Sequence, residues 1–307
     1  MFTLLYKVYF LKFRSNLIDN WHTRIIVRVF NHLLPYYFKL TRLFSKNKLS
    51  LNTKSNSENY IVSLTTFPAR IDNVWLTIET LLRQEVKPDK ILLWLYEGEF
   101  NGKESLPKNL LQQEKRGLEI RFVNENLMPH KKYFYTMKEF SKANIITIDD
   151  DFFYPLDLID KLIKRHESNP KEILCILTRE IKTKDSFVLP YNEWNYVEKS
   201  TIPSFKYLTM GGGGTLFPEK SLHPMLFDKE KLLSMALKAD DLWLKTMSLK
   251  NNTKVIGLGG EYSRFFVPII KKNDTRLMDS NIGESQNDII FKELLAYFNI
   301  PLSIFNS

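Results

Sequence analysis

The run Asn144-Ile145-Ile146-Thr147-Ile148 stops at three consecutive aspartates, Asp149, Asp150 and Asp151. The run has the length and the β-branched content of a buried strand. Three adjacent carboxylates repel one another unless a cation or hydrogen-bond donors hold them. A cluster of hard oxygen ligands suits a divalent cation, manganese or magnesium. Open α/β sheets bind their ligands at the carboxyl ends of strands, and the cluster falls at such an end. The competing reading is an acidic turn leading into a helix, with Asp151 or Asp157 as its cap.

This strand belongs to an alternating series. Tyr60 to Leu64 reads as a strand, and Thr65-Thr66-Phe67-Pro68 as the loop after it. Residues 72–84 carry helical spacing through Val74, Ile78, Leu81 and Leu82. Strands are predicted over 90–96, 119–123 and 172–177, and helices over 130–142 and 156–168. Such βαβ alternation predicts a mostly parallel sheet flanked by helices. The 307 residues suffice for one large α/β domain with an appendage. The single cysteine, Cys175, excludes an internal disulfide and a cysteine-based zinc site. It lies in the apolar run Ile173 to Leu177 and reads as a small core residue.

The appendage is the N-terminal segment, residues 1–50. It holds nine Lys and Arg against one acid, Asp19, so +8 of the net +9 lies there. Eleven aromatic residues share the segment. Phe2, Leu5, Tyr6, Tyr9, Phe10, Phe13 and Leu17 follow the spacing of one helix face. Ile26, Val29, Phe30, Leu33 and Tyr37 continue a similar stripe, which Pro35 is expected to bend or end. No charge-free stretch approaches the roughly 20 residues of a membrane span. No small-residue cleavage site follows, as a signal peptide would require. Basic, aromatic and amphipathic together, the segment predicts a helix in the interface of an anionic membrane. The alternative is a helical hairpin packed on the main domain or a partner. Nucleic acid is not expected, because large apolar side chains dilute the basic ones. Residues 51–58 read as a polar linker and 59–307 as a catalytic domain.

Two further features carry chemistry. Gly211-Gly212-Gly213-Gly214 lacks the spacing of dinucleotide and P-loop motifs. It allows either close backbone approach to a ligand or a plain turn before Thr215-Leu216-Phe217. Asp240 and Asp241 open a predicted helix, where the dipole favours negative charge. They are a capping pair or a catalytic base with its neighbour. Lys131 and Lys132 start another helix, as phosphate contacts or as a solvated face.

The segments Ile61-Val62-Ser63-Leu64-Thr65-Thr66-Phe67-Pro68-Ala69-Arg70-Ile71, Leu81-Leu82-Arg83-Gln84, Ile146 to Asp151, the glycine run and Ala239-Asp240-Asp241-Leu242-Trp243 together resemble bacterial GT-A-fold glycosyltransferases. The likeness is to the family 2-like group of capsule and lipopolysaccharide gene sets, over roughly residues 58–300. It implies a GT-A-like domain that transfers a hexose from a nucleotide-diphosphate sugar, by default a UDP-sugar, to a glycan or lipid-linked acceptor. It implies a DXD motif, Asp149-Asp150-Asp151, with Asp149 towards the ribose and Asp151 on the metal. Asp149 and Asp151 would be its metal ligands. It implies a base-binding first loop, with Thr65, Pro68 and Arg70 as candidates. Asp150 and Lys132 complete the expected donor site. Asp241 would be the base of an inverting reaction and Asp240 its positioner. The last histidine, His223, precedes the acidic pair, so no late histidine ligand is assigned. Arg276 and Asn287-Asp288 are further candidates for closing over the donor. The expected setting is polysaccharide biosynthesis at the cytoplasmic face of the bacterial inner membrane, with the enzyme peripheral there. Two other readings stay open: a nucleotidyltransferase acting on sugar phosphates, and a non-catalytic membrane-associated binding protein.

Overall fold

A computed structural model describes residues 2–13, 21–43, 51–52, 59–185, 187–259, 266–270 and 286–306. Two helices come first, α1 (Phe2–Phe13) and α2 (Trp21–Leu43). The alternating part follows as β1 (Tyr60–Thr65), α3 (Val74–Leu82), β2 (Lys90–Tyr96), α4 (Lys108–Glu114), β3 (Leu118–Val123), α5 (Lys131–Glu139) and β4 (Asn144–Thr147). After the aspartates come β5 (Phe152–Phe153), α6 (Leu158–Ser168), β6 (Ile173–Cys175) and β7 (Thr178–Glu180). Short strands β8 (Thr183–Lys184), β9 (Phe187–Val188), β10 (Asn195–Tyr196) and β11 (Tyr207–Thr209) lead to β12 (Thr215–Phe217). Helices α7 (Lys229–Met235) and α8 (Asp240–Lys250), strands β13 (Val255–Gly257) and β14 (Val267–Pro268), and helix α9 (Gln286–Tyr297) complete the described chain.

Seven strands form the central sheet in the order β13-β6-β12-β4-β1-β2-β3. All its pairings are parallel except those of β12, which runs antiparallel to both β4 and β6. The fold is thus the expected mixed α/β class, a mostly parallel sheet flanked by helices. Alternation along each strand divides the core, because successive side chains take opposite faces. Val62, Leu64, Leu93, Ile146 and Leu216 pack with α1, α2, α3, α4 and α6. Ile61, Leu92, Trp94 and Ile145 face the other way, where Tyr135, Met137 and Phe140 of α5 and its C-terminal end cover them. Phe217 and Ile173 share that second side with α8 and α9.

The N-terminal helices are part of this core. Phe2, Tyr6, Tyr9, Phe30, Leu34 and Phe38 are buried in the same cluster as the sheet. Phe30 lies 5.8 Å from the Tyr6 ring and 6.3 Å from Phe153. The Tyr6 hydroxyl donates to the carbonyl of Phe153 and accepts from the amide of Val267. Asn31 is held on both ends of its amide, by Pro268 O and Ile270 N. The face that the sequence stripe marks as apolar therefore meets the domain, as in the packed-hairpin alternative, except for Leu33, which is 45% exposed. Pro35 does not end α2, which runs on to Leu43. Its neighbours Leu34 and Phe38 are fully buried, and that packing holds the turn across the missing amide. Among the described residues no helix is long and apolar enough to cross a membrane.

Candidate functional site

The topology gathers the marked residues at one edge of the sheet. The aspartates follow the carboxyl end of β4. Because β12 is antiparallel to β4, with Thr215 opposite Thr147, the glycine run preceding β12 starts at the same edge. The first turns of α5 and α8 bring Lys132 and the acidic pair to it.

Lys132 is the centre of the arrangement. Its side chain is 4% exposed, and Nζ lies 2.7 Å from Asp149 Oδ1 and 2.8 Å from Asp240 Oδ2. It is no solvated helix face. Burial disfavours its ammonium, but Asp149, Asp240 and Asp241 outweigh that, and its pKa stands well above the usual lysine value. Gly211 packs directly over this junction. A Cβ there would stand 2.4 Å from Lys132 Nζ, 3.0 Å from Asp241 Oδ1 and 3.4 Å from Asp149 Oδ1. A side chain at 211 would have to displace the Lys132 ammonium from its place between the carboxylates. Gly214, at φ +69°, supplies the left-handed turn into β12.

The two members of the acidic pair differ. Burial pushes Asp240 up, but Lys132 and His130 more than reverse this and hold it below the usual carboxylate range. Asp241 is pushed well above that range by burial and by Asp240, despite a hydrogen bond from the Gly211 amide. Environments that separate two neighbouring carboxyls in this way can divide proton-holding from charge-holding roles. Four residues on, Lys245 is 2% exposed, and its ammonium has no hydrogen-bond partner among the described residues. Burial pulls its pKa down to about 7.

The three aspartates also differ. Asp149 and Asp151 keep 34% and 21% of their side chains exposed, whereas Asp150 turns inward. Asp150 accepts from Thr66 Oγ1 and from Arg70 Nη1 at 2.6 Å. The same Arg70 nitrogen lies 2.9 Å from Asp151 Oδ2. Arg70 therefore braces the cluster, with its guanidinium 5.3 Å from the Phe67 ring centre. Thr65 donates to Trp94 O, and Pro68 is exposed at the start of a short turn. Asp288 accepts from the Tyr191 amide, joining α9 to the segment after β9. Arg276 lies outside the described residues. His223 accepts from the Met225 amide and caps a turn.

Thr66, Tyr154 and Arg179 were not singled out from sequence. Tyr154 is buried beneath Asp149, whose amide donates to its hydroxyl at 3.1 Å. Arg179 lies between the rings of Tyr191 and Tyr196, 4.6 and 4.4 Å from their centres. Only Thr66 gave a signal, as a polar residue directly after an apolar strand.

Among the described residues, no three His, Cys, Asp or Glu side chains converge on a point where they could hold a metal. Two partly exposed carboxylates after a strand end still fit a divalent ion of the kind that takes one or two protein carboxylates and completes its shell with phosphate and water.

No family model matches the chain, and no curated protein matches it in sequence. Among solved structures, it is similar to a 4-diphosphocytidyl-2C-methyl-D-erythritol synthase at 13% identity, covering 78% of this chain and 100% of that one, with a TM-score of 0.41. It is similar to the mannosyltransferase PcManGT from Pyrobaculum calidifontis, in complex with GDP-Man and Mn2+, at 11% identity over 76% of this chain and 65% of that one, TM-score 0.42. GalNAc-T7 with UDP, GalNAc and Mn2+ gives 12% identity, 86% and 63% coverage, and TM-score 0.44. The chain spans less than two thirds of either transferase. These are loose likenesses in the course of the backbone, and no functional argument rests on them.

Proposed function

We propose that the chain is a GT-A-type glycosyltransferase that moves a sugar from a nucleotide-diphosphate donor to a hydroxyl of a glycan acceptor, with inversion. The observation that carries this reading is the junction at Lys132. One buried cation joins the strand-end aspartates to the helix-borne pair beneath a glycine whose Cβ would displace that cation. The sequence resemblance gives the same residues the donor and base roles.

In this reading Asp149 and Asp151 hold a divalent cation together with the donor's phosphates. When bound, the cation neutralises the charge that builds on the departing diphosphate. Arg70 and Thr66 fix Asp150 and so set the backbone that presents its two neighbours. Lys132 holds Asp149 and Asp240 in register. Asp241 takes the proton of the acceptor hydroxyl as that oxygen forms its bond to the anomeric carbon and the carbon–phosphate-oxygen bond breaks. Burial and Asp240 raise its proton affinity, which strengthens a carboxylate as a base up to the point where its pKa meets the working pH. The donor is by default a UDP-sugar and the acceptor a lipid-linked glycan of surface polysaccharide synthesis.

The test is a panel of nucleotide sugars assayed for metal-dependent release of nucleoside diphosphate, with Asp241→Asn beside the wild type. The variant is expected to bind donor normally and lose turnover by roughly 10²–10⁴-fold. Collapse of donor affinity with a normal rate at saturation would make Asp241 a donor ligand. Release of pyrophosphate from a nucleoside triphosphate would replace glycosyl transfer with nucleotidyl transfer. Full turnover in chelator would remove the cation from the scheme.

A further inference from the structure

We infer that the outward face of the α1–α2 hairpin docks on an anionic lipid bilayer, using residues other than the aromatic stripe that marks the segment in sequence. That stripe is spent on the core, since Phe2, Tyr6, Tyr9, Phe30 and Phe38 are buried. The opposite face is built from two rows side by side. On α1, Leu4 and Val8 form one row and Thr3 and Lys7 the other, each pair four residues apart. On α2, Ile25, Leu33, Tyr36 and Leu40 form an apolar row. Beside it Arg24, Arg28 and His32 run at spacings of four, while Lys39, seven further on, places its ammonium over the Trp75 ring. Leu4, Tyr36 and Leu40 are 67%, 66% and 60% exposed. Ile270, whose amide is bonded to Asn31 of α2, is exposed as well.

Charge selects the occupant. Neither helix contains an aspartate or a glutamate. A face with cations along one edge and aliphatic side chains along the other matches a leaflet whose headgroups are anionic and whose acyl boundary is apolar. Nucleic acid would satisfy the cations and leave the aliphatic row in water. A tyrosine between the rows suits the same boundary, with an apolar ring and a polar tip. The docking does not depend on the catalytic reading, because none of these residues belongs to the Lys132 junction.

The experiment is co-sedimentation of the full chain with phosphatidylcholine vesicles carrying about one-third phosphatidylglycerol, an anionic composition of the kind that draws basic segments. The chain is expected to pellet with these vesicles and weakly with phosphatidylcholine alone. Added salt should remove part of the binding and leave the part due to the apolar row. The double variant Lys7→Ala/Arg28→Ala should weaken partitioning about thirty-fold, at about five-fold for each cation near the surface. Leu33→Ser/Leu40→Ser should abolish the salt-resistant part. Both variants alter exposed side chains, so their urea unfolding should match the wild type, and release of nucleoside diphosphate with a soluble acceptor should be unchanged. A chain that stays in the supernatant, or variants that bind as well as wild type, would overturn the inference. So would a dimer in solution that Leu40→Ser converts to monomers, since the face would then belong to a second copy.

Discussion

Lys245→Met is expected to make the protein more stable, although it deletes a charged residue from the helix that carries the acidic pair. The wild-type side chain is 2% exposed, and its ammonium has no hydrogen-bond partner among the described residues. Burial moves its pKa from 10.5 to about 7. Above the unfolded value neither state is charged and nothing is lost. As pH falls below it, the unfolded chain takes up a proton that the folded chain refuses, so stability declines by about 1.4 kcal/mol per unit. The decline ends near pH 7, where the folded state is protonated too. The accumulated penalty is roughly 5 kcal/mol, as a ceiling that assumes no relaxation around the site. Methionine has a similar length, no charge and a flexible fit. The assay is equilibrium urea unfolding of both proteins at pH 7 and pH 9.5. At pH 7 the variant's midpoint should rise by on the order of 1 M. At pH 9.5 the gain should be about two-thirds smaller. A variant that is less stable at pH 7, or that gains equally at both values, would show that the ammonium is charged and held.

Gly211→Ala should abolish turnover while leaving the circular dichroism spectrum intact, because its Cβ would stand 2.4 Å from Lys132 Nζ. A normal rate would mean that the junction has room. Phe30→Ala should destabilise by about 3–5 kcal/mol in urea unfolding, the range for a buried aromatic. A negligible change would mean that the hairpin does not share the core. His130 is held near 4 by burial, despite the opposing influence of Asp240, and an unfolded histidine titrates at 6.5. Its depressed value means that stability is lost as pH falls from about 6.5 to about 4, by roughly 3 kcal/mol. His130→Gln should flatten that part of the stability profile, and an unchanged slope would count against the buried neutral imidazole.

The alternating half of the fold was legible because strand and helix periods differ and each apolar run has one of them. The position of β12 was not. A three-residue strand carries no sign of direction, and its insertion between β4 and β6 follows from contacts distant in sequence. The hairpin was legible as amphipathic, but a stripe reports only that one face avoids water. Phe30 would suit acyl chains or Phe153 equally well. In the site, acid clusters announce themselves by residue type. The split between outward Asp149 and Asp151 and inward Asp150 was not legible, because the three lie in the turn after β4 and not in the strand. The bracing role of Arg70 was hidden, because a loop arginine beside a suspected ligand site invites a ligand contact, whereas here it spans 80 residues to Asp150. Lys132 was visible as a cation, and its partners Asp149 and Asp240 only through the fold.

The bond from Tyr6 to Val267 joins residues 261 positions apart. A ribosome adding about 5–20 residues per second needs roughly 13–50 seconds to make that interval. The hairpin therefore emerges well before the strand that seals it. Until Phe153 and Val267 arrive, Phe30 and Tyr6 lack the partners that seal them into the domain. The same helices then present apolar surface on both sides, with no acidic residue in either helix. The vulnerable stage of this protein's life is its synthesis, and a chain stalled before residue 267 would be its most aggregation-prone form.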